Sequence, residues 1–153
     1  YGPLVAGPAG LSYFTIRAVC ETGANFLPAA RDRLQRGPKR HAQGPLHEPL
    51  SMHALRGLAS PRRVPLIALQ GDLEACALQL PPLAQVETSE PGGSGQFQLV
   101  LAGGLESPQG RLRAWESRYL SPGEDAAGCA AGESGLHLLV LQMPANAPEY
   151  ADG

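Results

Sequence analysis

Three histidines, His41, His47 and His53, stand at a constant six-residue step in KRHAQGPLHEPLSMH. Imidazoles at regular spacing can hold zinc or relay a proton. A six-residue step turns about 600° on a helix of 3.6 residues per turn, so neighbours fall on different faces. On a strand it keeps one face but separates the side chains by roughly 20 Å. Zinc ligands sit about 2 Å from the metal, so neither geometry joins two of these rings on one ion. Pro45 and Pro49 forbid a continuous helix. Only a folded-back loop brings these rings together. The expected outcome is an exposed, partly basic loop that holds no metal. His137 lies in an apolar run and is expected to be packed rather than a ligand.

Thiol chemistry has three candidates, Cys20, Cys76 and Cys129. They lack the CxxC spacing of zinc ribbons and thiol redox enzymes, and permit at most one internal disulfide. Cys20 with a distant histidine would make a nucleophile pair, but no local signature supports it. Cys76 alternates with Leu78 and Leu80 and is expected in the core. Cys129, in GEDAAGCAAGES, is expected to be the exposed thiol or a disulfide partner.

SEPGGSG and AGGLES have the glycines of phosphate loops but lack the GxxxxGK[ST] lysine and the GxGxxG spacing. Neither HExxH nor GxSxG occurs. No cofactor is expected.

Charge is unevenly laid out. Residues 31–63 hold eight basic residues against Asp32 and Glu48, a net of +6. Residues 71–153 hold three arginines against eleven acids, a net of −8. Arg31, Arg33, Arg36, Lys39 and Arg40 are therefore candidate contact residues. Nucleic-acid modules add stacking aromatics or a readout helix, and residues 31–63 contain no Phe, Tyr or Trp. A basic segment that meets an acidic surface, its own or a neighbouring subunit's, is the expected reading. RLRAWESRYL adds a second candidate surface. Read as one strand, it sets Arg113, Trp115 and Tyr119 on a shared face, and these residue types are enriched at interfaces.

The elements that must position these residues follow from composition and punctuation. Hydrophobic residues make up 43% of the 153, enough for a core, while charged residues make up 17%, below the roughly 25% usual for globular chains. Nineteen glycines and fifteen prolines, spread along the chain, imply a turn-rich fold. No apolar run approaches the roughly 18 residues that span a bilayer. A chain beginning at Tyr1 is expected to be a processed mature form or a fragment, which leans toward an extracytoplasmic setting.

The reading is one domain. Residues 1–10 are an irregular lead-in, and LSYFTIRAVC alternates as a strand over 11–20. A helix near 26–36 is capped by Asn25, striped by Leu27, Ala30 and Leu34, and stopped by Gly37 and Pro38. Residues 38–63 form a basic, proline-punctuated segment with a short helix after Ser51. VPLIALQ and LEACALQL, about Gly71-Asp72, read as a hairpin. LAQVET, QFQLVL, RLRAWESRYL and GLHLLVLQM follow as strands, broken by SEPGGSG, AGGLESPQG and SPGEDAAGCAAGES. Residues 144–153 are a tail. GLHLLVLQM is apolar on both faces, so it is a central strand or one that a partner buries.

The expected fold is α+β. A mostly antiparallel β-sheet, a sandwich or partial barrel, covers 64–143, with one N-terminal helix near 26–36. The expected function is non-catalytic: a binding or assembly subunit acting through protein–protein contacts or self-association, extracytoplasmic or within a multi-subunit structure. The alternatives are a nucleic-acid-contacting subunit using 31–63, and a small thiol-dependent enzyme.

Overall fold

The computed structural model describes residues 5–13, 44–70 and 73–144. In chain order its elements are α1 (Met52–Arg56), β1 (Arg62–Gln70), β2 (Leu73–Leu80), β3 (Gln96–Ser107), β4 (Gly110–Arg113), β5 (Ser117–Leu120) and β6 (Ala130–Gln142). The strands form one six-stranded sheet in the order β1-β2-β6-β3-β4, with β5 also on β3. Every pairing is antiparallel. The fold is thus mixed α+β, with one short helix among the described residues. The helix expected near 26–36 lies outside them, as does most of the strand expected at 11–20. Leu11, Ser12 and Tyr13, which are described, are exposed and carry no strand.

β6 explains the sheet. Its Leu136–Leu141 run is buried on both faces, and a strand with no polar face must have neighbours on both edges and cover on both sides. β2 and β3 supply the edges. One face gathers Cys76, Leu78, Leu80, Val100, Leu105, Cys129, Leu136, Leu138 and Val140. The other gathers Ala75, Leu99, Leu139 and Leu141, with Leu66, Ile67 and Leu101 packed beside them. Each fully buried leucine or valine contributes about 1.5–3 kcal/mol.

Register ties the faces into rows. Ala75, Leu141, Phe97 and Tyr119 are successive partners across β2, β6, β3 and β5. Gln79, His137 and Ala102 make a parallel row nearer the other end. The hairpin β1–β2 pairs Arg62 with Gln79 and Gln70 with Leu73, and β1 slips register on both sides of Ile67.

α1 begins at Ser51, whose hydroxyl accepts from the Ala54 N–H at 3.2 Å. Its fully buried Leu55 rests on β6 at Gly135, where a Cβ would come 2.9 Å from the Leu55 Cβ and 2.7 Å from the Leu80 carbonyl oxygen. Gly135 has φ +83°, so the helix approaches the sheet only because no side chain stands there.

Several strand readings are corrected. AGGLES is not a break: β3 runs through it to Ser107, because Gly103 and Gly104 mark a bulge where the β3–β6 register shifts. A Cβ at Gly103 would collide with the Gly135 carbonyl oxygen. LAQVET is not a strand. After Pro81 and Pro82, Leu83 takes φ +61°, and only the bridge Gln85↔Ala130 forms. RLRAWESRYL is two strands, since Trp115 at φ +71° turns the chain between β4 and β5. The last strand starts earlier than expected, at Ala130.

Candidate functional site

Three arrangements in the sheet hold polar or exposed aromatic side chains. The first is the end of the Ala75–Leu141–Phe97–Tyr119 row. Phe97 and Tyr119 are 42% and 45% exposed, and their rings meet at 4.9 Å between centroids, tilted by 51°. The Tyr119 hydroxyl donates to the Ser94 carbonyl at 2.6 Å, which holds that ring down. Trp115, 58% exposed, sits in the turn beside β3. Its N–H donates to the Val100 carbonyl at 2.7 Å, and the Val100 N–H donates to the Glu116 carbonyl at 3.0 Å. Arg113 ends β4, exposed, with its N–H held by the Glu116 carboxylate at 2.7 Å. The strand face that joined Arg113, Trp115 and Tyr119 in the sequence is therefore interrupted by a turn.

Phe97 was not legible as a surface residue. QFQLVL alternates Gln96 and Gln98 with Phe97 and Leu99, and ordinary patterning turns glutamine outward. The sheet does the reverse.

That reversal makes the second arrangement, a buried polar row. Gln96 and Gln98 are fully buried. The Gln98 Nε2 donates to Gln96 Oε1 at 2.6 Å, and Gln96 Nε2 donates to Gln142 Oε1 and to the Ser89 carbonyl, both at 3.4 Å. Gln142 Nε2 reaches the carbonyls of Gly92 at 2.7 Å and Gly95 at 3.1 Å. At the other end Arg118 Nε donates to Gln98 Oε1 at 2.9 Å, and its Nη2 lies 3.2 Å from Cys129 Sγ. Cys129 is 2% exposed, which corrects its expected place on the surface. The turn-rich segment before it is pinned to 84–86 by the Cys129 carbonyl on the Val86 N–H and the Ala131 N–H on the Ala84 carbonyl. Cys76 is buried as expected, and burial raises the pKa of its thiol. A surface hollow of about 460 Å³ opens nearby, with Glu87, Glu90, Glu124 and Asp125 in its wall.

The third arrangement is a histidine pair. His137 is fully buried. Its Nδ1 accepts the Leu50 N–H at 2.9 Å, and its Nε2 lies 2.8 Å from His47 Nε2, with the rings edge to face. The loop, expected to be exposed, folds back at His47, which is half-buried and meets His137 rather than another member of the triplet. His53 is exposed on α1, and His41 lies outside the described residues. The apolar setting of His137 was legible; its partner, 90 residues away, left no local signal.

Arg31, Arg33, Arg36, Lys39 and Arg40 lie outside the described residues, as does Cys20. Arg63 makes an ion pair with Glu74, and the hydrogen bond it donates to the Glu74 carboxylate raises the pKa of the guanidinium. Among the described residues no group of three His, Cys, Asp or Glu side chains could hold a metal ion, and no helix is long and apolar enough to cross a membrane.

This is a small β-rich domain of mixed α+β fold. No protein-family model matches the chain, and no curated protein matches it. Among solved structures it is similar to a chain of Rhodobacter sphaeroides SigE in complex with the anti-sigma ChrR. The TM-score is 0.47 at 19% identity, covering 54% of this chain and 44% of that one, so this protein spans less than half of the chain it matches. It is similar also to a conserved Streptococcus pyogenes protein of unknown function, with TM-score 0.47, 16% identity, and coverage of 71% and 98%. A Bordetella pertussis cupin domain gives TM-score 0.38 at 15% identity, with coverage of 58% and 100%.

Proposed function

We propose that this chain is a non-catalytic binding or assembly module that works through protein–protein contacts, centred on Phe97 and Tyr119. The observation that carries the reading is the exposed aromatic pair at the end of a row otherwise buried. Two large rings left half in water on a rigid sheet are what a partner buries at an interface centre. Trp115 and Arg113 lie on the same β3-side hairpin and supply further residue types favoured at interfaces. Partners are protein subunits or further copies of the chain.

The test is the native mass of the purified chain, alone and with candidate partners, for wild type and Phe97→Ser/Tyr119→Ser. The reading expects a defined complex that the double variant loses while remaining folded. A complex unchanged by the double variant would overturn the assigned surface. Oligonucleotide affinity that falls steeply with salt would instead favour a nucleic-acid contact. Turnover lost on a cysteine-to-serine change would favour a thiol enzyme.

A further inference from the structure

The hydrogen-bond geometry around His137 fixes where every proton sits. The Leu50 N–H can only donate, so the Nδ1 facing it at 2.9 Å carries a lone pair. A neutral ring then has its hydrogen on Nε2. That hydrogen points at His47 Nε2, 2.8 Å away, which must be the acceptor. His47 in turn carries its own hydrogen on Nδ1. One tautomer of each ring fits, and both rings are neutral.

No additional proton fits this arrangement. A proton on His137 Nδ1 meets the Leu50 N–H. A proton on His47 Nε2 meets the Nε2–H of His137. Passing the shared hydrogen to His47 forces His137 to protonate Nδ1, which again meets Leu50. Each route breaks one of the two bonds that hold residues 44–50 on the sheet.

Among the described residues the surroundings supply no compensating charge. In the sheet His137 is flanked by Gln79 and Ala102. On the covering side the ionisable residues are His47, Glu48, His53 and Arg56. The last three are exposed, and Arg56 donates to Ser134 Oγ at 3.0 Å. Burial, and after it the repulsion a charged His47 would exert, lower the His137 pKa to about 4. α1 has its own anchor in Leu55, so loosening of 44–50 does not require the helix to leave.

We propose that the His47–His137 contact is an acid-released latch: a proton taken up by His137 frees residues 44–50 from the sheet while the sheet itself stays folded. The sign follows from linkage. Released, His137 regains a pKa of about 6.5 and binds a proton that the latched form, at about 4, does not. The latch is complete above about pH 6.5 and loses stability as pH falls toward 4.

The Leu50 amide reports the latch directly, and the Leu139 amide reports the sheet. Amide exchange of the full chain, corrected for intrinsic rates, should show Leu50 protection falling roughly 20-fold between pH 7 and 5, with Leu139 unchanged. His137→Asn keeps an acceptor for the Leu50 N–H but cannot take a proton, so its Leu50 protection should not vary with pH. His47→Gln, made on the covering segment, offers an uncharged acceptor and should hold the latch to lower pH. Leu50 protection that ignores pH in the wild type would overturn the proposal. So would joint loss of Leu50 and Leu139 protection, or an acid response left unaltered by His47→Gln.

Discussion

Arg118 lays its guanidinium across the buried thiol of Cys129, Nη2 to Sγ at 3.2 Å, while its Nε holds Gln98. Arg118 is half-buried and Cys129 lies beneath it, so the arginine is a cover as well as a hydrogen-bond donor. Alkylation of the native protein, mapped by mass spectrometry, should therefore leave both Cys76 and Cys129 slow to react. Arg118→Ala should speed labelling at Cys129 by tenfold or more. Cys76 should stay slow in both, because burial keeps its thiol protonated. Fast labelling of Cys129 in the wild type would contradict its place in the core.

Gly135 is where helix and sheet meet. Gly135→Ala adds a Cβ within 3 Å of both Leu80 and Leu55, on a backbone at φ +83°. Chemical denaturation should show a loss of about 2 kcal/mol or more. A loss below about 0.5 kcal/mol would mean that α1 does not press on β6 in solution.

Leu138 and Leu139 face opposite sides of β6, and each side is filled by the chain's own residues. Leu138→Lys and Leu139→Lys should each unfold the protein, since an unpaired buried charge costs several kcal/mol. Circular dichroism decides the matter. A folded monomer from either variant would show that another subunit completes that face.

The glutamine row is stabilising only while it is whole. Gln96→Leu is close in size, but it strands the Gln98 donor and removes a donor to Gln142. A stability loss of about 2–4 kcal/mol is expected, more than a surface glutamine would give. A neutral result would place these side chains in contact with water.

Much of the sheet was legible because its signals are local. GLHLLVLQM has no polar face, and it is central. VPLIALQ and LEACALQL pair as a hairpin, and Ser51 starts a short helix. The failures share a cause. Glycine reads as a break, yet Gly103 and Gly104 lie inside β3, where a bulge and a close backbone approach require them. RLRAWESRYL alternates well enough for a strand, and nothing local announces the turn at Trp115. Glutamine reads as surface, yet Gln96 and Gln98 are interior because the chain supplies partners from far away in sequence. Cys129 is buried for the same reason. Arg113, Trp115 and Tyr119 were candidates by residue type alone, while the ring beside Tyr119 and the partner of His137 come from register and loop return.

Among the described residues β1 has a neighbour on one side only, which leaves a row of backbone groups open. Such an edge can recruit a strand from another molecule and propagate into aggregates. Pro65 sits in the middle of β1 with no N–H to offer, and the register slips on either side of Ile67 bend the strand beyond it. Open-ended stacking along this edge is blocked by the backbone itself. An assembly that used the β1 edge would therefore be built from side-chain contacts and not from added strands.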